Sequence, residues 1–198
     1  MRSLLFALVT LVCAIPLHAD NALQNGDFTD GSNHWEGDGK TPDEYAQDNP
    51  SAASDPLTSK GIIIELKPNS WSRISQDFNG AQGTHYALHI TYKVSPGTTL
   101  SNRADDYTNI ASLIRFEGYE NYGFLSIEPG HIWIMVKDFE ESGGGYQERF
   151  APNLGTTEIQ KIDDPGLPMA PSGRKITTVA FPPGNGTFVI LSVSITSS

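Results

Sequence analysis

The segment 131-HIWIMVKDF carries an aromatic residue in a position suited to sugar contact. Its aliphatic residues alternate with His131, Trp133 and Met135, and alternate residues of a β-strand point to opposite faces of the sheet. An indole ring combines an apolar face, which can stack on the C–H groups of a sugar, with one polar N–H group. The pattern predicts Trp133 as a ligand contact on an open surface, with His131 beside it. The alternative interpretation is that Trp133 packs beneath a loop.

The segment 110-IASLIRFEG supplies the charged groups that such a site needs. Arg115 and Glu117 are two positions apart and therefore share one face of a strand. Their planar groups can form paired hydrogen bonds with neighbouring hydroxyls. If this strand lies beside the one that carries His89, a single sheet presents a groove. The predicted groove contains Trp133, Arg115, Glu117, His89 and His131.

Two tyrosines add to the candidate contacts. Tyr119 and Tyr122 lie in 118-GYENYG, whose residue types are typical of a hairpin connection. Aromatic side chains at the rim of a β-sandwich can grip the end of a sugar chain. Tyrosine is also common as the half-buried cap of a strand, so both interpretations stay open.

Sequence signatures of catalysis are missing. A glycosidase needs two carboxylates held about 5 to 10 Å apart, whereas the acidic pairs at 105–106, 140–141 and 163–164 are adjacent residues that point to opposite faces of a strand. No G-x-S-x-G nucleophile elbow occurs. The histidines also lack the spacing of a zinc motif. We therefore predict a protein that is not an enzyme.

The first 19 residues have the layout of a secretory signal peptide, with Arg2, an apolar run over 4–15 and a small residue at Ala19. Cleavage there predicts a single domain over 20–198, located outside the cell, in a periplasm or on the cell surface. Cys13, the only cysteine, lies in the leader, which excludes disulfides and thiolate chemistry from the mature chain. The net charge of −10 disfavours nucleic acid and anionic membranes as partners.

Hydrophobic alternation of period two recurs along the chain, and no helical period is sustained. It marks the segments 62-IIIEL, 73-RISQDF, 85-HYALHITYKV, 110-IASLIRF, 131-HIWIMVKDF, 175-KITTVAF and 187-TFVILSVSI. Turn-forming residues separate these segments. We predict an all-β, two-sheet antiparallel β-sandwich or jelly roll, with long loops over 36–60 and 138–172.

The start of the mature chain, 22-ALQNGDFTDGSNHWEGDG, predicts an edge strand from Ala22, a bend at 25–27, a core plug at Phe28 and its closure at Trp35. The Asn-x-x-Phe motif, glycine turn and Trp resemble the opening of carbohydrate-binding modules of the xylan-, cellulose- and glucan-binding type. The blocks 71-WSRISQDFNGAQGTHYALHITYKVSP and 174-RKITTVAFPPGNGTFVILSVSI resemble the central and closing strands of that family. The resemblance implies a galactose-binding-like jelly roll.

The resemblance also implies a function, a secreted non-catalytic module that binds a polysaccharide or oligosaccharide. One alternative is a structural or adhesive module of the cell envelope with no sugar site. For either function, a cell-envelope component or an enzyme is a candidate partner. A further alternative is a jelly-roll glycoside hydrolase or polysaccharide lyase.

Members of that family often hold a structural calcium ion, and here the sequence departs from the pattern. Residues 191–192 are Leu-Ser where the family has an Asp pair in the closing strand. Asp27 and Asp30 alone undersupply the roughly six to eight oxygen ligands of calcium. We therefore expect no cofactor, with Asp27 and Asp30 as the candidates should calcium bind.

Overall fold

The computed structural model describes residues 21–52, 60–81, 84–101, 130–138, 145–167 and 173–197. One helix, α1, spans Pro42–Asp48, and a 3-10 turn follows at Pro50–Ala52. The strands are β1 (Glu36–Gly37), β2 (Gly39–Lys40), β3 (Ile62–Glu65), β4 (Ser72–Gly80), β5 (Tyr86–Val94), β6 (Thr99–Leu100), β7 (Ile132–Asp138), β8 (Gly145–Phe150), β9 (Gln160–Leu167), β10 (Gly173–Phe181), β11 (Gly184–Asn185) and β12 (Thr187–Ser197).

These strands form two antiparallel five-stranded sheets. The first sheet has the order β1-β4-β10-β7-β8, and the second sheet has the order β2-β3-β12-β5-β9. A short pair, β11-β6, lies apart from both. Most neighbouring strands are distant in the chain, as expected for a sandwich with crossing connections. The predicted all-β, two-sheet architecture is confirmed.

The hydrophobic core lies between the two sheets. In β5 every second residue from Tyr86 to Val94 is buried, and the residues between them are half-exposed, as the alternation predicts. The rings of Phe181 in the first sheet and Phe188 in the second lie 5.1 Å apart. Burial of large aromatic surfaces at this junction stabilises the contact between the sheets.

The opening segment, residues 21–35, packs against this core as predicted, but without the predicted edge strand at Ala22. It runs through successive turns, and Asn21 pairs with Thr196 of β12 as an isolated bridge. Phe28 and Trp35 are both buried, with ring centroids 5.4 Å apart. The bend at 25–27 therefore places Phe28 in the core without a preceding strand.

Asn25 holds the opening bend together. Its backbone φ is 46°, a left-handed conformation that asparagine tolerates better than most residues. Its side-chain amide donates to the carbonyl oxygens of Gly31 and Asn33, each at 3.0 Å. Its own carbonyl accepts the indole N–H of Trp35 at 3.1 Å. The N–H of Trp35 is therefore satisfied inside the domain.

The predicted loop over 36–60 contains a helix that the sequence pattern did not indicate. Thr41 caps α1 by accepting the backbone N–H of Glu44, and the Glu44 carboxylate accepts the backbone N–H of Thr41 at 2.7 Å. This backbone hydrogen bond is the main reason that the pKa of Glu44 is lowered. No residue of α1 is buried, so the helix carries no apolar period that a sequence pattern could detect.

The predicted loop over 138–172 contains two strands, β8 and β9, which form one outer edge of each sheet. Ile162 is a buried hydrophobic residue of β9, and Tyr146 and Phe150 of β8 pack only partly against the core. Edge strands bury fewer side chains than central strands do. Their alternation is therefore too weak to separate them from a loop.

Gly26→Ala is expected to destabilise the fold. A β-carbon at this position would lie 2.2 Å from the carbonyl oxygen of Val193, and the backbone cannot retreat because Gly26 accepts the Val193 N–H at 2.7 Å. Overpacking of this kind costs roughly 1–3 kcal/mol, measurable by urea unfolding. Gly155→Ala is the matched control, because its nearest contact is the flexible Asn153 amide at 3.3 Å. Equal losses in the two variants would contradict this account.

The stability of the fold should fall at alkaline pH through Tyr92. Burial raises the pKa of Tyr92 from 10.0 to about 12. Because folding favours the neutral phenol, its stabilisation is complete below the unfolded pKa and is lost as pH rises through the folded one. Tyr92→Phe should remove up to about 3 kcal/mol of the decrease in unfolding free energy between pH 9 and 12. Identical pH profiles for the two proteins would contradict the raised pKa of Tyr92.

Candidate functional site

The predicted groove does not lie on one sheet. Trp133 belongs to β7 of the first sheet, whereas His89 belongs to β5 of the second. The Nδ1 atom of His89 lies 2.8 Å from a carboxylate oxygen of Asp163 on the adjacent strand β9. The outer faces of the two sheets point away from each other. The expectation that Trp133 and His89 share a groove is therefore wrong.

Four of the predicted contacts cannot be placed. Arg115, Glu117, Tyr119 and Tyr122 lie outside the described residues, and their roles stay predictions. His131 directly precedes β7 and is half-buried, so it remains next to this part of the first sheet.

Trp133 lies on the outer face of the first sheet, as the alternation predicts, but it is not open to solvent. Ile132 and Ile134 on either side belong to the core cluster, and Trp133 does not. Its exposed fraction is only 2%, and Met135, next on the same face, is fully buried. The expectation of an open indole surface at Trp133 is wrong. The indole lies at the floor of this face.

One cross-strand row sets aromatic and basic side chains next to each other on this outer face. Arg73 of β4 pairs with Ala180 of β10, and Ala180 pairs in turn with Trp133 of β7. Trp133 pairs with Arg149 of β8. Directly opposed residues of antiparallel strands point to the same face, with Cβ atoms about 4.5–5.5 Å apart. Ala180 contributes only a methyl group between the larger side chains.

A second tryptophan joins this row. Trp71 directly precedes β4, and its ring centroid lies 6.3 Å from that of Trp133 with the planes tilted by 57°. Trp71, Arg73 and Arg149 are half-buried. We call Trp71, Arg73, Ala180, Trp133 and Arg149 the outer-face cluster. The guanidinium next to Trp133 among the described residues is that of Arg149, whereas the predicted neighbour, Arg115, lies outside them.

The outer-face cluster presents N–H donors that lack partners. The Nε1 atoms of Trp71 and Trp133 and the Nε atom of Arg149 are buried, and none has a hydrogen-bond partner among the described residues. Indole and guanidinium groups can only donate hydrogen bonds. Leaving one buried donor unsatisfied costs about 1–3 kcal/mol, and native structures contain few of them. Three such donors lie together on the outer face of the first sheet.

The two arginines at the ends of the row differ in their surroundings. Burial lowers the pKa of Arg73, and the nearby carboxylates of Asp38 and Glu36 oppose that effect. The backbone N–H of Arg73 also donates to Asp38 at 3.0 Å. Arg149, within the part of the chain that the structure describes, has no ion pair. Asp38 also pairs with Lys67 at 2.6 Å, so the charges at the Arg73 end are balanced, whereas the Arg149 end is cationic.

A shallow groove of about 540 Å³ lies along β1 and β4, and the sequence did not indicate it. Gln76 at its base exchanges hydrogen bonds of 2.6 and 2.8 Å with the backbone of Gln24. Glu36 and Asp77 line it, and Asp77 is paired with Arg174. Gln76 and Asp77 therefore already have partners within the protein. This groove is a weaker candidate for a binding site than the outer-face cluster.

The calcium candidates serve the opening turn. A carboxylate oxygen of Asp27 accepts both the N–H and the hydroxyl of Thr29, at 3.3 and 3.0 Å. Asp30 donates its backbone N–H to the side chain of Asn25. No group of three or more metal-binding side chains occurs within the described ranges. A calcium-binding role for Asp27 and Asp30 stays a prediction.

The part of the chain that the structure describes contains no helix with the length and apolar character needed to cross a membrane.

No protein-family model and no curated protein matches the sequence. Similar solved structures include carbohydrate-binding modules. TmCBM61, solved in complex with β-1,4-galactotriose, has a TM-score of 0.49 and 15% identity over 91% of this chain and 100% of that one. A Family 16 Carbohydrate Binding Module-2 has a TM-score of 0.46 and 12% identity over 88% and 99%.

An enzyme also occurs among the similar structures. The Stig cyclase Fisc from Fischerella sp. TAU has a TM-score of 0.43 and 11% identity over 90% of this chain and 96% of that one. The resemblance to carbohydrate-binding modules noted in the sequence thus recurs among solved structures. Similarity this distant carries no argument about a ligand, so the function has to be argued from the outer-face cluster.

The burial of Trp133 can be tested by acrylamide quenching of tryptophan fluorescence. The chain has three tryptophans, and Trp35 and Trp133 are only 9% and 2% exposed. Trp71→Phe should therefore remove most of the quenching, because Trp71 is the half-buried one. Trp133→Phe should leave quenching at or above the wild-type value. A loss in Trp133→Phe as large as that in Trp71→Phe would show that Trp133 is exposed.

Proposed function

We propose that the chain is an exported, non-catalytic domain that binds polysaccharide through the outer-face cluster. The observation that supports this most directly is the set of three buried N–H donors on Trp71, Trp133 and Arg149. A sugar chain offers many oxygen acceptors close to apolar C–H groups. Donors beside indole rings match both properties.

The members of the cluster have different roles in stacking and in hydrogen bonding. Trp71 is half-buried and supplies the stacking face, while Trp133 at the floor supplies a hydrogen-bond donor. Arg149 lies beside Trp133 in the row and adds a directional donor with a charge. Ala180 lies between Arg73 and Trp133, and its methyl side chain leaves room for a ligand between them. His131, Arg115, Glu117, Tyr119 and Tyr122 remain proposed additional contacts.

The acids near the cluster favour binding over hydrolysis. Asp38 and Glu36 lie on the Arg73 side, and both interact with that guanidinium. Hydrolysis needs one carboxylic acid that keeps its proton and a second carboxylate facing it across the scissile bond. Asp38 already accepts the backbone N–H of Arg73 at 3.0 Å and pairs with Lys67 at 2.6 Å, so it is held in structural contacts.

A structural or adhesive module of a cell envelope is the second candidate. The observation that favours it is the 2% exposure of Trp133, which removes the open stacking surface expected at this residue. In that case the outer-face cluster would be an internal packing surface. Its substitution would then lower the free energy of unfolding without changing any affinity for sugars.

Affinity gel electrophoresis followed by calorimetry against β-glucan, xylan, mannan, galactan and alginate tests the proposal. Trp71→Ala and Arg149→Ala should each weaken binding at least about tenfold, equivalent to about 1.4 kcal/mol. His89→Ala is the control, because His89 lies on the second sheet. Binding to none of these polymers, or equal losses in all three variants, would contradict the proposal.

A further inference from the structure

We propose that the outer-face cluster selects acidic polysaccharides, and that it binds the carboxylate of a uronic acid residue between Trp133 and Arg149. This inference rests on the proposed function and adds the chemical class of the ligand. It is carried by three properties of the described residues: the kind of hydrogen-bonding groups in the cluster, the charge of Arg149, and the position of nearby acids.

The hydrogen-bonding groups of the row are donors. Indole N–H and guanidinium groups have no acceptor, and Ala180 between them has no polar side-chain atom. A sugar hydroxyl both donates and accepts, so in a buried position it needs an acceptor in return. A carboxylate only accepts, and its two oxygens can take several donors at once. The donor set of Trp71, Trp133 and Arg149 matches a carboxylate better than it matches hydroxyls.

The charge of Arg149 points to the same ligand. Arg149 is half-buried, and its Nε atom is buried without a hydrogen-bond partner among the residues that the structure describes. Burying a charge is costly unless it is paired and hydrogen-bonded. A carboxylate supplies both, and hydrogen bonds between two ions are about twice as strong as neutral ones.

The neighbouring charges define where the carboxylate lies. Asp38 and Glu36 lie near Arg73, and Asp38 also pairs with Lys67 at 2.6 Å, so the two carboxylates at that end are balanced by two cations and leave no net charge for an anion. Arg149 is three strands away from Arg73, since β10 and β7 lie between β4 and β8. The carboxylate therefore belongs at the Arg149 end, over Trp133. Neutral parts of the sugar chain extend towards Trp71 and the Arg73 end.

Because of the negative net charge of the chain, binding of an acidic polysaccharide depends on a local cationic site. At −10, the protein repels polyanions at long range, so a polyuronate has no general electrostatic attraction to it. Binding of such a polymer would have to come from a specific cationic site. A basic protein would bind it through many surface charges, and a single arginine would then matter little.

Calorimetry with polygalacturonate and with the same polymer after methyl esterification tests the inference on the wild-type chain. Esterification keeps the sugar and its linkage and removes the negative charge. We expect the dissociation constant to rise at least about tenfold on esterification, which corresponds to about 1.4 kcal/mol. Equal affinity for the acid and the ester would overturn the inference and leave the proposed function standing. No binding to either form or to any neutral glycan would overturn both.

Three variants locate the charge that matters. Arg149→Gln keeps N–H donors and removes the charge, so it should reduce the affinity for polygalacturonate to that for the ester. Lys161→Gln removes the same charge from an exposed position on β9 of the second sheet and should change neither affinity. Arg149→Lys keeps the charge without the planar donors and should retain the preference at lower affinity. Loss of the preference in Lys161→Gln, or its survival in Arg149→Gln, would overturn the assignment to Arg149.

Discussion

The central strand β10 is buried on both faces, and this constraint determines the rest of the first sheet. Val179 and Phe181 face the core, while Thr178 and Ala180 face outward, and all four are at most 1% exposed. A shift of one residue would exchange the two faces and place valine and phenylalanine on the outside. Register is therefore strongly specified. The same register brings Arg73, Trp133 and Arg149 into one row, so the cluster depends on the packing of β10.

The strands with strong alternation could be predicted from the sequence, and so could the roles of Phe28 and Trp35 in the core. Alternation also placed Trp133 on the outer face, because period two is a local property. It could not assign β5 and β7 to different sheets, since sheet membership depends on pairing between distant segments. The pairing of Trp133 with Arg149 was missed for the same reason, together with the weak pattern of the edge strand β8.

The three tryptophans differ in whether the indole N–H group has a hydrogen-bond partner in the described part of the chain. Trp35 donates its indole N–H to the carbonyl of Asn25 and completes the opening turn. Trp71 and Trp133 keep theirs without a partner among the described residues, next to a guanidinium in the same state. Each unsatisfied buried donor costs about 1–3 kcal/mol. Proteins tend to retain such violations of local rules at functional sites, where a ligand compensates them.

The most direct measurement is the indole N–H region of a ¹⁵N-labelled protein spectrum during titration with oligogalacturonate. We expect the N–H signals of Trp71 and Trp133 to move together as they gain an acceptor, while that of Trp35 stays in place because it already has one. Signals that all stay still at saturating ligand, or a shift confined to Trp35, would contradict the claim that the outer-face cluster is the binding site.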